Sequence, residues 1–201
     1  MARFLTIPKT GEAVYREKMS RFLAFAIPVS TPEEAKETIA LYANEYHDAR
    51  HVCWAYMVGA DRLTYLSSDN GEPSGTAGKP ILGQINSLGL TDLVVIVVRY
   101  FGGIKLGTSG LIVAYREAAR MALEDAGTVE GREMSSLSFT FPYLAMNEVM
   151  RIVKAYGASE PVRIASQEFD NTCAITLSLP LDLRQELYDR INGIPGTSVS
   201  G

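Results

Sequence analysis

The stretch "TDLVVIVVRYFGGIKLGTSGL", residues 91–111, decides the architecture. Its first half is an unbroken apolar run, the pattern of a strand covered on both faces. Its second half is a glycine-dense loop that passes at Thr108 into helical periodicity. In that helix Leu111, Ala114, Tyr115, Ala118, Met121 and Ala122 share one face, and Gly127 is the stop.

A second glycine loop, "SSDNGEPSGTAGKP", lies upstream at residues 67–80. Between them the two loops and their connection hold nine of the chain's 17 glycines, and glycine is costly to order. The region therefore needs backbone geometry that only glycine permits, or a surface where a ligand or another chain comes close to the main chain. Ahead of it, "HVCWAYMVG" and "RLTYLSSDN" read as two strands joined by a tight turn near Gly59 to Asp61. "SRFLAFAIPVS", residues 20–30, reads as a strand. It is followed by a helix with Thr31 as N-cap, Pro32 in the first turn and Glu34 completing a capping box. Ala35, Ile39, Tyr42, Ala43 and Tyr46 form the buried face of that helix. "TAGKPILGQINSLG" gives a helix from Thr76 to Gly89, so the order is β-α-β-β-α-β-α.

"GTVEGREMSS", residues 127–136, is charged and nearly free of apolar residues, which makes it the best linker candidate and places a boundary near residue 130. Beyond it "SLSFTF" alternates with Leu137, Phe139 and Phe141 on one face, and "AMNEVMRIVKAYG" is a helix ending at Gly157. "PVRIASQEF" and "NTCAITLSLP" alternate as strands, the second burying Cys173, Ile175, Leu177 and Leu179, and "LDLRQELYDRING" is a second helix. This is a ferredoxin-like β-α-β-β-α unit whose last, rudimentary strand must come from "TSVSG". The expected domains are residues 1–130 and 135–201.

The composition, 47% hydrophobic and 21% charged, is that of a soluble globular protein. No apolar run is long enough to span a bilayer and the N-terminus lacks a signal-peptide pattern, so a cytoplasmic location without a membrane partner is expected. Cys53 and Cys173, among alternating apolar neighbours, read as buried free thiols. The two histidines, His47 and His51, have helical spacing, but residue 51 opens a strand pattern and no ligand set surrounds them; no metal is expected. A net charge of −4 argues against a protein that coats nucleic acid, yet within residues 99–110 the only charges are Arg99 and Lys105.

Neither loop fits a nucleotide-hydrolysing or dinucleotide motif. "GTAGKP" has Pro73 where the phosphate loop needs its first glycine, and Pro80 where it needs the magnesium-binding hydroxyl. "GGIKLGTSG" is not the dinucleotide fingerprint, and neither Ser74 nor Ser109 sits in a nucleophile elbow. What the loops share is a helix start, at Thr76 to Lys79 and at Thr108 to Leu111, where backbone N–H groups attract anions. The candidate anion or nucleic-acid site therefore takes Gly71, Glu72, Ser74, Gly75, Thr76 and Lys79 from the first loop. From the second it takes Arg99, Tyr100, Phe101, Gly102, Gly103, Lys105, Gly107, Thr108 and Ser109. Lysine and arginine supply charge, the hydroxyls supply donors, and the aromatic pair could stack on a base. The alternative is packing: Asn70-Gly71 as a tight turn, Thr76 and Thr108 as caps, Tyr100 and Phe101 as core, and Asp69 and Glu72 as turn-capping acids rather than a catalytic pair.

"SDNGEPSGTAGKPIL", "VVRYFGGIKLGTSGLIVAY", "SRFLAFAIPVSTPEEA" and "ARHVCWAY" together resemble the IMPACT family, its bacterial YigZ-type members included. The resemblance implies an α+β chain. Its N-terminal domain would resemble the second domain of the fifth small-subunit ribosomal protein, and its C-terminal ferredoxin-like domain would be similar to the last domain of elongation factor G. Eukaryotic relatives act in translational control, competing for the activator of the amino-acid-starvation kinase. The sequence departs from the family text at Asp69-Asn70, where an acidic pair is usual, at Ser109, where glycine is typical, and at Val113, where an arginine stands in the family. The implied function is non-catalytic contact with RNA, the ribosome or a translation-control protein, without a cofactor. The alternatives are an enzyme acting on a phosphorylated small molecule at the same loops, and a pure protein-interaction module. A peptidase activity finds no support in these residues.

Overall fold

The computed structural model describes residues 3–170 and 172–200. The fold is α+β, and the chain divides into two compact units, Arg3–Gly131 and the chain from Arg132 onward.

The first unit is built on a five-stranded antiparallel sheet. In chain order its strands are β2 (Gly11–Glu17), β3 (Ser20–Pro28), β4 (His51–Val58), β5 (Thr64–Ser68) and β6 (Leu93–Tyr100), arranged β2-β3-β6-β4-β5. Helix α1 (Pro32–Glu45) covers one face, where Ala35 joins Phe25, Val52, Tyr56, Val94, Ile96 and Val98. Helices α2 (Gly78–Ser87) and α3 (Gly107–Ala126) cover the other, where Ile81, Ile85, Ala114 and Ala118 meet Ala24, Cys53, Val95 and Val97. Double cover, not parallel pairing, accounts for the unbroken apolar run of β6. The N-cap of α1 forms, the Glu34 N–H donating to Thr31 Oγ1 at 3.1 Å, while the Glu34 carboxylate reaches back one residue beyond the cap and accepts from the Ser30 N–H at 2.7 Å.

Three elements depart from the sequence reading. Residues 11–17 form a strand closed onto β3 by a two-residue turn at Lys18 and Met19, both with positive φ. Asn-Gly is the usual signal for such a turn and is missing here, so the hairpin leaves no mark in the sequence. The proposed linker is a strand, β7 (Val129–Arg132), which pairs with β1 (Arg3–Thr6). The hairpin after β4 is also longer than expected, with Arg62 and Leu63 in the loop and β5 starting at Thr64.

In the second unit β8 (Met134–Phe141), β9 (Arg163–Phe169), β10 (Cys173–Pro180) and β11 (Ser198–Ser200) form an antiparallel sheet in the order β11-β8-β10-β9, the ferredoxin-like arrangement. Its last strand is three residues long. Helices α4 (Met146–Ser159) and α5 (Arg184–Asn192) bury Val149, Val153, Leu187 and Ile191 against Phe139, Phe141, Ile175 and Leu177. Gly157 does not end α4, which continues to Ser159. No helix among the described residues is long and apolar enough to cross a membrane.

Candidate functional site

Three neighbouring strands set the floor of the site. Phe22 on β3, Arg99 on β6 and His51 on β4 are cross-strand partners in one row, and Arg99 is 6% exposed. A guanidinium taken out of water needs an acceptor, and the first glycine loop delivers one. Asn70 and Gly71 both take positive φ and turn the chain, with the Glu72 N–H donating to the Asp69 carbonyl at 2.9 Å. Glu72 then points inward: its Oε1 accepts from Arg99 Nη1 at 2.6 Å and from the Tyr115 hydroxyl of α3 at 2.7 Å. Rings of Phe22 and Phe101 flank the guanidinium at 5.6 and 5.5 Å.

Beneath this triad, the Cys53 thiol donates to the Asp69 carbonyl at 3.0 Å and lies 3.4 Å from the Tyr115 hydroxyl. Burial pushes the Cys53 thiol up to about 12, so it is no nucleophile at neutral pH. Burial, with the neighbouring thiol, also drives the Tyr115 phenol far above its ordinary range, which fixes it as a donor.

The remaining first-loop groups close the loop. Asp69 accepts from the N–H groups of Gly75 at 2.8 Å, Ala77 at 3.0 Å and Gly78 at 2.8 Å, and so caps α2 from outside the helix. Burial alone would raise the Asp69 carboxyl, but these three donors outweigh it and hold it below the usual aspartate range. Thr76 is therefore not the N-cap: the helix starts at Gly78 after Ala77, and the Thr76 hydroxyl donates to the Pro73 carbonyl at 2.6 Å. The Asp69 carboxylate thus already occupies the Ala77 and Gly78 N–H groups at the start of α2, where the sequence suggested an anion site. Gly78 is required there, because a Cβ would meet the Ser68 backbone at 2.8–3.0 Å.

The two loops do meet. A partly enclosed cleft of about 510 Å³ is lined by Gly71, Glu72 and Pro73 from the first loop and by Phe101, Lys105, Leu106, Gly107 and Thr108 from the second, with Arg50, His51, Arg99 and Leu111. Of the candidate residues, Ser74, Gly75, Thr76 and Lys79 stay outside it, as do Gly102 and Gly103. Tyr100 is excluded by strand alternation: it faces the α1 side, where its hydroxyl donates to Asp48 at 2.8 Å. Ser109 lines a neighbouring hollow with Val113, so the missing family arginine at position 113 does not border the cleft. Arg99 is no spare cation, since Glu72 neutralises it; the exposed cations at the rim are Lys105 and Arg50. The start of α3 does face the cleft. Thr108 is its second residue rather than its cap, and no side chain caps its first turn.

The sequence reading left out His51, Arg50, Tyr115 and Cys53 as parts of this site. His51 Nδ1 lies 2.9 Å from the Asn70 carbonyl, and its Nε2 lies 3.9 Å from Glu72 Oε2. The one available signal was the text "ARHVCWAY", which carried the family resemblance without a role for its histidine. Among the described residues no three His, Cys, Asp or Glu side chains converge to cage a metal.

An antiparallel α+β unit whose two glycine loops share one cleft, followed along the chain by a ferredoxin-like unit, defines the class of protein. The Impact N-terminal domain matches residues 18–123, and the chain belongs to the IMPACT family. An IMPACT family member of Haemophilus influenzae is 34% identical over 182 residues, covering 89% of this chain and 86% of that protein. YigZ of Escherichia coli is 42% identical over 125 residues, covering 61% of each. A crystal structure of a hypothetical protein superposes with a TM-score of 0.76 at 28% identity, covering 99% of this chain and 97% of that one.

Proposed function

We propose that the protein is a translation-linked binding protein that contacts RNA or the ribosome through the cleft between its glycine loops. The observation that carries this reading is the shared cleft itself, with Phe101 exposed beside Lys105, Arg50 and the uncapped start of α3. A flat aromatic face, free cations and open N–H donors are the groups that bind a nucleic-acid strand. Membership of a family with eukaryotic members in translational control supports the translation link. The test is co-sedimentation with ribosomes from a cell lysate at two salt concentrations. Wild-type protein should move with the ribosomal fraction at low salt and leave it at high salt, and Arg50→Glu/Lys105→Glu protein should stay in the supernatant at both. Co-sedimentation that ignores both salt and the charge reversal points instead to a protein-interaction module.

One observation favours a second reading, an enzyme acting on a phosphorylated small molecule. The gap of 3.9 Å between His51 Nε2 and Glu72 Oε2 is wide enough for a water or hydroxyl oxygen to bridge the two. Release of inorganic phosphate from a panel of phosphate monoesters, abolished by His51→Ala, would establish it.

A further inference from the structure

The geometry points to a specific ligand for this cleft: a ribonucleoside 5′-phosphate with its 2′,3′-diol free. This inference rests on the reading that the cleft is the binding site, and it names what the site recognises.

The argument starts at His51. Its Nδ1 faces the Asn70 carbonyl at 2.9 Å, and a carbonyl only accepts, so Nδ1 carries the hydrogen. In the neutral ring Nε2 is then an acceptor. Across from it Glu72 Oε2 is an acceptor too, since both of the close donors to this carboxylate, Arg99 Nη1 and the Tyr115 hydroxyl, go to Oε1. Two acceptors 3.9 Å apart on one cleft wall match a ligand with two adjacent donors. A ribose cis-diol is such a group, each hydroxyl donating to one acceptor, and an acidic side chain on a ribose hydroxyl is a familiar means of sugar recognition.

The other walls supply the rest of a nucleotide. Arg99, more than nine-tenths buried, is spent on Glu72 and holds that carboxylate in the cleft wall. Lys105, exposed at the rim, and the uncapped first turn of α3 at Gly107 and Thr108 suit a phosphate. Phe101, 45% exposed, offers its ring to a base. A cleft of about 510 Å³ lies within the range of about 300–1,000 Å³ usual for small-ligand sites. A free cis-diol beside a 5′-phosphate occurs in two sources, a free ribonucleotide and the 3′-terminal residue of an RNA strand.

The test is calorimetric titration of the full chain with 5′-AMP, 2′-deoxy-AMP, 3′-deoxy-AMP, adenosine and inorganic phosphate. An RNA tetramer with a free 3′ end and the same tetramer carrying a 3′-phosphate complete the set. The deoxynucleotide that lacks the hydroxyl on Glu72 should bind about tenfold more weakly than AMP, the worth of one hydrogen bond to a charged group, and the one that lacks the hydroxyl on the neutral His51 ring about threefold to tenfold more weakly. Adenosine and inorganic phosphate should each bind at least as weakly. Lys105→Ala, at an exposed position, should weaken AMP by about fivefold to tenfold while leaving the melting temperature unchanged, and Phe101→Ala, which also removes a ring from the Arg99 guanidinium, should weaken AMP to a similar extent with a small drop in melting temperature. If the free-ended tetramer binds as tightly as AMP and the blocked one does not, the source is an RNA 3′ end; if both tetramers fail while AMP binds, it is a free nucleotide. Equal affinity for AMP and both deoxynucleotides overturns the inference, as does inorganic phosphate binding as well as AMP, or no change in either variant. Nucleotide binding without ribosome co-sedimentation would remove only the translation reading, and salt-sensitive co-sedimentation without nucleotide binding would remove only this inference.

Discussion

Arg99 and Glu72, from a central strand and a surface loop, form a 2.6 Å ion pair with side chains only 7% and 3% exposed. The pair ties the first glycine loop to the sheet. Arg99→Ala leaves a buried carboxylate without its cation and should destabilise the protein by about 3–5 kcal/mol. Replacing both members with methionine should restore most of the loss. Urea unfolding of the three proteins checks this; an Arg99→Ala midpoint equal to that of wild type would show that the pair contributes nothing.

Asp69 holds two N–H groups at the start of α2 and a third, that of Gly75, in the loop before it. Asp69→Ala should cost about 2–3 kcal/mol, the sum of a lost cap and its charge-assisted bonds. The pH dependence follows from the sign of the shift. With its folded pKa below the unfolded one, Asp69 stabilises the protein above the ordinary aspartate range, and that stability disappears as the pH falls through the folded value. Asp92, raised mainly by burial, acts in the opposite sense. The informative measurement is therefore the difference in stability between wild type and Asp69→Asn, which should shrink between pH 6 and pH 2 (on the order of the acidic range where carboxylates titrate).

Cys53 is fully buried, with its thiol pushed up to about 12 by burial. A thiol reagent at neutral pH should leave Cys53 unmodified in the native protein and label it promptly in denaturant. Mass mapping of the labelled peptide is the check, and fast native labelling at Cys53 would mean that the Tyr115 and Asp69 contacts open readily.

The glycines of α2 separate packing from freedom. Gly78→Ala drives a Cβ into the Ser68 backbone and should cost about 1–3 kcal/mol. Gly83 has no neighbour within 4 Å of where its Cβ would stand, so Gly83→Ala should stabilise the helix by about 0.5–1 kcal/mol. Thermal melts of the two variants should move in opposite directions.

We propose that the first unit folds alone, provided that the cut respects β7. A fragment of residues 1–132 keeps the β1–β7 pair, and one ending at residue 128 loses it. Circular dichroism melts should show a cooperative transition for the first fragment and a lower, broader one for the second.

Long periodic elements could be read without the structure. The α1 cap at Thr31 and Glu34, the doubly covered β6 and the alternation of Phe139, Phe141, Ile175 and Leu177 each declare themselves through local pattern. Hidden features depend on partners distant in the chain. Lys18 and Met19 make a turn without glycine, and Val129 to Arg132 is polar yet pairs with β1. The site divides in the same way. Glycine density marked the two loops, but which of Arg99 and Lys105 is spent on Glu72, and which face of β6 carries Tyr100, depend on strand register. His51 escaped notice because its role is defined by the Asn70 carbonyl and by Glu72, neither adjacent to it in sequence.

The strand order β2-β3-β6-β4-β5 has a consequence for synthesis. β6 sits at the centre, pairing residue 21 with residue 100 on one side and His51 with Arg99 on the other. The two early hairpins, β2–β3 and β4–β5, can form as soon as they leave the ribosome, but neither has its neighbour until β6 follows. Such long-range pairing is slow, and it leaves apolar sheet edges exposed in the nascent chain. Arg99 arrives at the very end of that strand, so the buried carboxylate of Glu72 acquires its cation only as the sheet closes. The cleft thus waits for β6 and the start of α3, and a chain stalled before Arg99 emerges has no site to offer.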